Sequence, residues 1–152
     1  MQPIEYFKLQ AKNLFRDFKT KEPYIDPIDG NSYYKYSPEF FDVDAIVLAF
    51  DWDEESFRLS NAQHTIAILA GFAKWTELAK ASKAELELGK LLFDHQDKIT
   101  PDDWEHYKFE TEQMNKTTFS AEDWAQIFEE MFVKPAWPEG AEDFRLKKQI
   151  KR

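Results

Sequence analysis

The acidic residues between positions 42 and 55 are the strongest candidates for chemistry in this sequence. Carboxylates at such short spacing suit a hard cation such as Mg²⁺ or Ca²⁺. The pattern of a calcium-binding loop is absent: counted from Asp51, the sixth residue is Ser56 where glycine is needed, and the twelfth is Ala62 where glutamate is needed. We therefore expect helix caps and solvated acids, no metal and no cofactor, with a metal-dependent hydrolase as an alternative. The acids are Asp42, Asp44, Asp51, Asp53, Glu54 and Glu55.

The other residues that could do chemistry form no recognisable catalytic site. The chain has no cysteine, which excludes a thiol nucleophile, a disulfide and any cysteine-ligated metal. His64 and His95 are interpreted as hydrogen-bonded structural residues, and one acid beside His106, namely Asp102, does not make a metal centre. There is no GxSxG elbow and no glycine-rich phosphate loop. We therefore predict a protein that is not an enzyme and has no catalytic residues.

Charge is distributed in blocks along the chain. The 152 residues carry a net charge of −9, but residues 145–152 hold five basic residues and no acid, which leaves the preceding body at −14. Acid is concentrated at 23–60 and 93–144, with net charges of −7 and −10. A body of this sign repels phosphate. The charge thus disfavours duplex DNA binding by the body. The acid itself is interpreted either as solvated helix faces that keep the protein in solution or as a surface complementary to a basic partner protein.

Aromatic residues accompany the acids of 42–55. Tyrosine and tryptophan anchor protein interfaces at a small entropic cost, so we interpret both sets together as a partner-binding surface. The hypothesis is a non-enzymatic protein that binds, and in its stronger form inhibits, a basic nucleic-acid-handling protein, as an antitoxin-like regulator or a phage antagonist of bacterial defence would. A nucleic-acid-binding accessory protein acting through the basic tail is a further alternative. The aromatic residues are Tyr24, Tyr33, Tyr34, Tyr36 and Trp52.

These residues need a scaffold, and the hydrophobic periodicity predicts a mainly α fold. We expect a single helical domain over 1–144 with a flexible basic tail at 145–152, and a Tyr/Pro-rich loop or small hairpin near 22–37 that turns at Asp29-Gly30. Segment 43–50 reads as a buried strand or a helix, and its neighbours favour helix. No apolar run could span a membrane and no signal peptide is evident, so we expect a cytoplasmic protein. The predicted helices cover 3–20, 61–70, 73–81, 83–94, 101–114 and 121–132.

Capping signals define where several helices begin. Ser82 precedes Glu85 at the spacing of a capping box, and Ser60 precedes Gln63 likewise. Ser37 before Pro38 also resembles a helix start. The clearest signal occurs twice, twenty residues apart: a hydroxyl N-cap, acids in the first turn, a tryptophan at the fourth position and an apolar residue just before the cap. Its two copies place Ile99, Thr100 and Trp104, and Phe119, Ser120 and Trp124, in predicted structural roles.

A short motif resembles one found in other proteins. Ala67, Gly71, Phe72, Trp75 and Leu78 form the pattern AxxxGFxxWxxL. It resembles a helical motif of small acidic bacterial and phage proteins and of helical appendages in some glyoxalase-superfamily-like proteins. The resemblance implies a helical element of bacterial or phage type and no activity. Gly71, Phe72 and Trp75 are accordingly expected to be structural, with Gly71 in a left-handed conformation and Gly89 admitting a close neighbour.

Overall fold

In the computed structural model, residues 1–135 and 140–146 are described, and this part of the chain is mainly helical with one two-stranded hairpin. The predicted fold class is confirmed. Segment 43–50 is a helix. In chain order the elements are α1 (Pro3–Phe18), β1 (Glu22–Ile25), β2 (Ser32–Lys35), α2 (Val43–Phe50), α3 (Leu59–Leu69), α4 (Trp75–Lys80), α5 (Lys83–Asp94), α6 (Pro101–Asn115), α7 (Ala121–Phe128) and a π-helical turn (Glu129–Val133).

By its internal contacts the chain divides into two compact units. Among the described residues, the first unit comprises Met1–Phe7 and 64–135 with 140–143, and the second comprises Lys8–Gln63 and 144–146. The hairpin and α2 belong to the second unit, whereas α4 to α7 and the π-helical turn belong to the first. A single domain ending at residue 144 stays a prediction.

The first unit is built around the two capped tryptophans. Thr100 Oγ1 accepts from the Asp103 amide and Ser120 Oγ from the Asp123 amide, each at 3.1 Å. The rings of Trp104 and Trp124, both buried, meet edge to face with centroids 5.6 Å apart. Each aromatic pair of this kind adds about 0.5–1.5 kcal/mol beyond its buried area. The surrounding cluster includes Leu88, Leu92, Ile99, Phe119 and Phe128.

Two glycines allow helices of the first unit to approach closely. Gly71 ends α3 in a left-handed conformation (φ 89°), and the following amide of Phe72 donates to the Ala67 carbonyl at 2.9 Å. A Cβ at Gly89 in α5 would lie 2.9 Å from Phe72 Cε2 and 3.1 Å from the Ala70 carbonyl oxygen. The close neighbour expected at Gly89 is therefore the end of α3 together with Phe72.

Two helix starts are corrections to the sequence analysis. No helix begins at Ser37-Pro38, since α2 begins at Val43 with Asp42 as its N-cap. Ser60 is not an N-cap because it lies inside the first turn of α3. The Asn61 side chain instead accepts from the Arg58 amide at 2.8 Å, so the helix starts earlier than the Ser60–Gln63 spacing indicates.

One buried carboxylate fixes the segment between the hairpin and α2. Asp17 near the end of α1 is 1% exposed, and its two oxygens accept from the backbone amides of Glu39, Phe40 and Phe41 at 2.8–2.9 Å. Thr20 Oγ1 accepts from the Ser37 amide at 2.8 Å. Because these amides bind a side chain some twenty residues earlier, the segment does not form the helix predicted at Ser37-Pro38.

The segment just after this clamp pairs with the C-terminal residues of the described chain. Phe41 and Arg145 form an antiparallel bridge, the Asp42 amide donates to the Phe144 carbonyl at 2.8 Å, and the Leu146 amide donates to the Phe40 carbonyl at 3.0 Å. The first two residues of the predicted basic tail thus take part in backbone pairing. The other six lie outside the described residues.

We predict that Asp17→Ala destabilises the protein by ~4 kcal/mol or more, since it leaves three backbone donors without their charged acceptor. Asp17→Asn, which keeps one acceptor oxygen, should fall between this variant and wild type. The measurement is the free energy of unfolding in urea. Glu87→Ala is the control, because it also removes one acid but from an exposed site on α5. A midpoint for Asp17→Ala equal to that of the control would refute the clamp.

We predict that Thr100→Ala and Ser120→Ala each lower the free energy of unfolding by ~1 kcal/mol, because each removes an N-cap. Trp124→Ala should cost ~3–5 kcal/mol through the cavity it leaves. Thr118→Ala is the matched control, since Thr118 is an exposed threonine one turn before α7 and is not its N-cap. Equal denaturant midpoints for the cap variants and this control would contradict the role of the caps.

Candidate interaction surface

The hairpin presents three of the candidate tyrosines from its second strand and the segment that follows. Its strands pair antiparallel, with Tyr24 opposite Tyr33 and Pro23 opposite Tyr34. Asp26 and Asn31 close the connecting turn, in which Gly30 has a positive φ of 74° and donates to the Asp26 carbonyl at 2.9 Å. Only glycine adopts this conformation without strain. The turn thereby sets the register on which the tyrosine positions depend.

Two tyrosines of this surface bind two of the candidate acids directly. Tyr34 Oη donates to Glu55 Oε1 at 3.2 Å, and Tyr36 Oη donates to Glu54 Oε1 at 2.9 Å. Lys21 contacts one residue of each pair. Its Nζ donates to the backbone carbonyl of Glu54 at 2.5 Å and lies 4.7 Å from the centre of the Tyr34 ring. The structure therefore brings the aromatic and acidic halves of the predicted surface together at four residues that are distant in sequence.

Burial together with these hydrogen bonds disfavours ionisation of the two tyrosine hydroxyls and raises their pKa. Burial and the bond to Glu54 raise the pKa of Tyr36 well above its usual value, and nearby Asp44 adds to the shift. The pKa of Tyr34 is raised for the same reasons, with Glu55 as the bonded acid. Both hydroxyls are protonated at neutral pH, as tyrosine ordinarily is, and donate these hydrogen bonds.

Aromatic packing supports the inner side of this surface. Phe18 of α1 stacks on Phe57 with ring centroids 3.5 Å apart and meets Tyr36 edge to face at 5.6 Å. Trp52 packs against the same Phe57 at 5.8 Å, and its ring is parallel to that of Phe50. Segment 50–57 and Tyr36 are therefore attached to the end of α1, close in sequence to Asp17.

The remaining candidate acids have local structural roles and stay exposed. Asp42 caps α2 through the Ala45 amide at 3.2 Å, Asp44 lies in its first turn, and Asp51 ends it in a left-handed conformation (φ 54°). Asp53 accepts from Ser56 Oγ and the Glu55 amide, and these two bonds lower the pKa of Asp53. Among the described residues no three acidic or histidine side chains are grouped as a metal ion would need.

The two tyrosines of the hairpin that do not bind 51–55 contact the hairpin itself. Lys35 Nζ lies 4.3 Å from the centre of the Tyr24 ring, and Tyr33 Oη donates to Asp29 Oδ2 at 2.8 Å. Tyr33 is 46% exposed.

An apolar residue that the sequence analysis did not single out, Leu48, is 85% exposed on α2. It stands four residues after Asp44, which is the spacing that places two side chains on one helix face.

Two of the three histidines, His95 and His106, have neighbours that fit structural roles. His95 follows α5 as its C-cap, and its Nδ1 lies 2.8 Å from the Leu91 carbonyl oxygen. His106 Nε2 lies 2.7 Å from Glu110 Oε1 on the exposed side of α6.

Within residues 1–135 and 140–146, no helix combines the length and the apolar character needed to cross a membrane.

Comparisons with protein-family models, with curated proteins and with solved structures give no match for this chain. The resemblance carried by Ala67, Gly71, Phe72, Trp75 and Leu78 therefore rests on those residues alone and stays a prediction. The hairpin, residues 36–44 and residues 51–55 together form a surface that we call the hairpin surface.

Proposed function

We propose that this chain is a non-enzymatic interaction protein whose hairpin surface binds a protein with a basic surface. The observation that carries the proposal is the pair of hydrogen bonds from Tyr34 and Tyr36 to Glu55 and Glu54. These bonds hold interface-forming aromatic rings beside carboxylates on one surface. Neither set alone is unusual, but their combination suits recognition of a cationic partner.

Electrostatics supports a basic partner. Residues 23–60 carry nine acidic and two basic residues, and most of the acids on the hairpin surface are exposed. Such a surface accelerates association with a protein of opposite charge and repels acidic competitors. The same charge opposes duplex DNA, since phosphates would meet carboxylates.

The aromatic residues supply the contacts that would slow dissociation. Tyr33 is half exposed, and Tyr34, Tyr36 and Trp52 are partly buried on neighbours that hold them in place. Side chains held in this way lose little further freedom on binding, so their contact area is converted to affinity with a small entropic penalty.

A protein that handles nucleic acid is the class of partner that fits best. Such proteins carry grooves lined by lysine and arginine that bind phosphate. Ordered carboxylates can occupy the same groove and thereby block it. A toxin held by an antitoxin-like regulator and a defence effector held by a phage antagonist both match this chemistry.

We predict that neutralising the acids of the hairpin surface slows partner association. The variant replaces Asp51 and Asp53 by Asn and Glu54 and Glu55 by Gln, so hydrogen-bond acceptors remain while four charges are lost. The partner is recovered from the native host by crosslinking to wild type, purified, and mixed with each variant in stopped flow. At low ionic strength the association rate constant should fall by about tenfold or more, with the difference shrinking at physiological salt.

The matched control loses four charges from the first unit. Its substitutions are Glu87→Gln, Glu105→Gln, Glu110→Gln and Glu122→Gln, all at exposed positions. A Tyr33→Ala variant should leave the association rate near wild type and speed dissociation, because an aromatic contact is lost. If the hairpin variant and the control associate equally fast, the hairpin surface is not the interface and the proposal fails.

A further inference from the structure

A second surface lies in the first unit, between α6 and the C-terminal part of α7. It is a groove of about 540 Å³ whose apolar wall includes Tyr107, Phe119, Ile127 and Met131. Met131 is 41% exposed. None of its lining residues belongs to the hairpin surface, and the groove has no part in the proposed function.

The residues along this groove follow helical rows. On α6 the lining residues Tyr107, Thr111 and Asn115 recur every four positions. On the other wall Asp123, Ile127 and Met131 also recur every four positions, continuing from α7 into the π-helical turn. Rows of side chains four residues apart form the ridges and grooves into which a further helix packs. The shape therefore suits a helix rather than a compact ligand.

The charge around the groove indicates what kind of helix fits. Among the described residues that line it, Asp123 and Glu130 are acidic and none is basic, although Lys134 Nζ pairs with Glu130 Oε1 at 2.8 Å. Residues 101–134 contain nine acidic and three basic residues, so the wider surroundings remain acidic. An occupant with an apolar face and lysine or arginine on its flanks complements both the apolar wall and the acidic edge.

The π-helical turn is an independent sign of function at this place. Glu130 and Met131 of the groove both belong to it. A π-turn is rare, and where one is retained within a helix it often marks a functional site. Here it begins directly after Phe128, a fully buried core residue.

We propose that the groove between α6 and α7 binds a basic amphipathic helix of a partner protein. The apolar residues of that helix lie on Ile127 and Met131, and its cationic flank lies along the acidic edge at Asp123 and Glu130, where it competes with Lys134 for Glu130. This interaction is separate from the hairpin surface and does not rest on the proposed function.

The test is a selection of random 16-residue peptides displayed on phage against the immobilised full chain. Enriched peptides should carry apolar residues at helical spacing together with lysine or arginine. Met131→Asp should lower the affinity of the protein for a selected synthetic peptide by about tenfold, as expected for one lost apolar contact. Met114→Asp should change the affinity for the same peptide by less than about twofold. Met114 is the control because it is an exposed methionine of α6 that does not line the groove.

A second pair of variants tests the charge. Glu130→Gln should lower the affinity for the peptide by about threefold, whereas Glu129→Gln should leave it unchanged. Of these two neighbouring glutamates, Glu130 lines the groove and Glu129 does not. Selected peptides that are acidic or lack helical spacing, or that bind Met131→Asp as well as wild type, would overturn the proposal. So would sedimentation of the free chain as a dimer that Met131→Asp dissociates, because a second copy would then be the occupant.

Discussion

The hairpin surface depends on one buried carboxylate. The Asp17 carboxylate accepts hydrogen bonds from the three backbone amides of residues 39–41. These bonds hold the segment that follows the hairpin against α1. Three hydrogen bonds to a charged acceptor are each worth about 1.5–3 kcal/mol, more than exposed ion pairs contribute. Phe18, the next residue, packs on Phe57 and Tyr36. The end of α1 therefore sets the positions of both the tyrosines and the acidic segment.

Local signals in the sequence were sufficient for most of the helices. Where a cap hydroxyl and the backbone amide that donates to it lie three residues apart, as at Ser82, Thr100 and Ser120, the spacing alone defines the start, and the structure has the helix there. The starts at Ser37 and Ser60 were wrong because other partners took over. Asp17 binds the amides after Ser37, and Asn61 turns back to Arg58. For Ser37, a pattern of neighbouring residues cannot contain a partner twenty positions away; at Ser60 the competing partner is local, and the pattern does not say which of two nearby caps is used.

The candidate surface was predictable by composition but not by arrangement. Clusters of acid and tyrosine are visible in the sequence, whereas the pairing of Tyr34 with Glu55 and of Tyr36 with Glu54 requires the hairpin register and the clamp on 39–41. Lys21 was overlooked for the same reason, since nothing near it in sequence indicates that it contacts Glu54. The groove between α6 and α7 was also missed, because periodicity identifies apolar faces without saying which of them remain open.

The most direct measurement of the central claim is the footprint of a bound basic partner by amide hydrogen exchange. Exchange reports local opening and shielding of individual backbone segments, so it separates the hairpin surface from the rest of the chain. The account predicts that binding slows exchange in residues 22–57, most strongly in the hairpin, and leaves α4 and α5 unchanged. Protection confined to the first unit, with exchange in the hairpin unaltered, would contradict it.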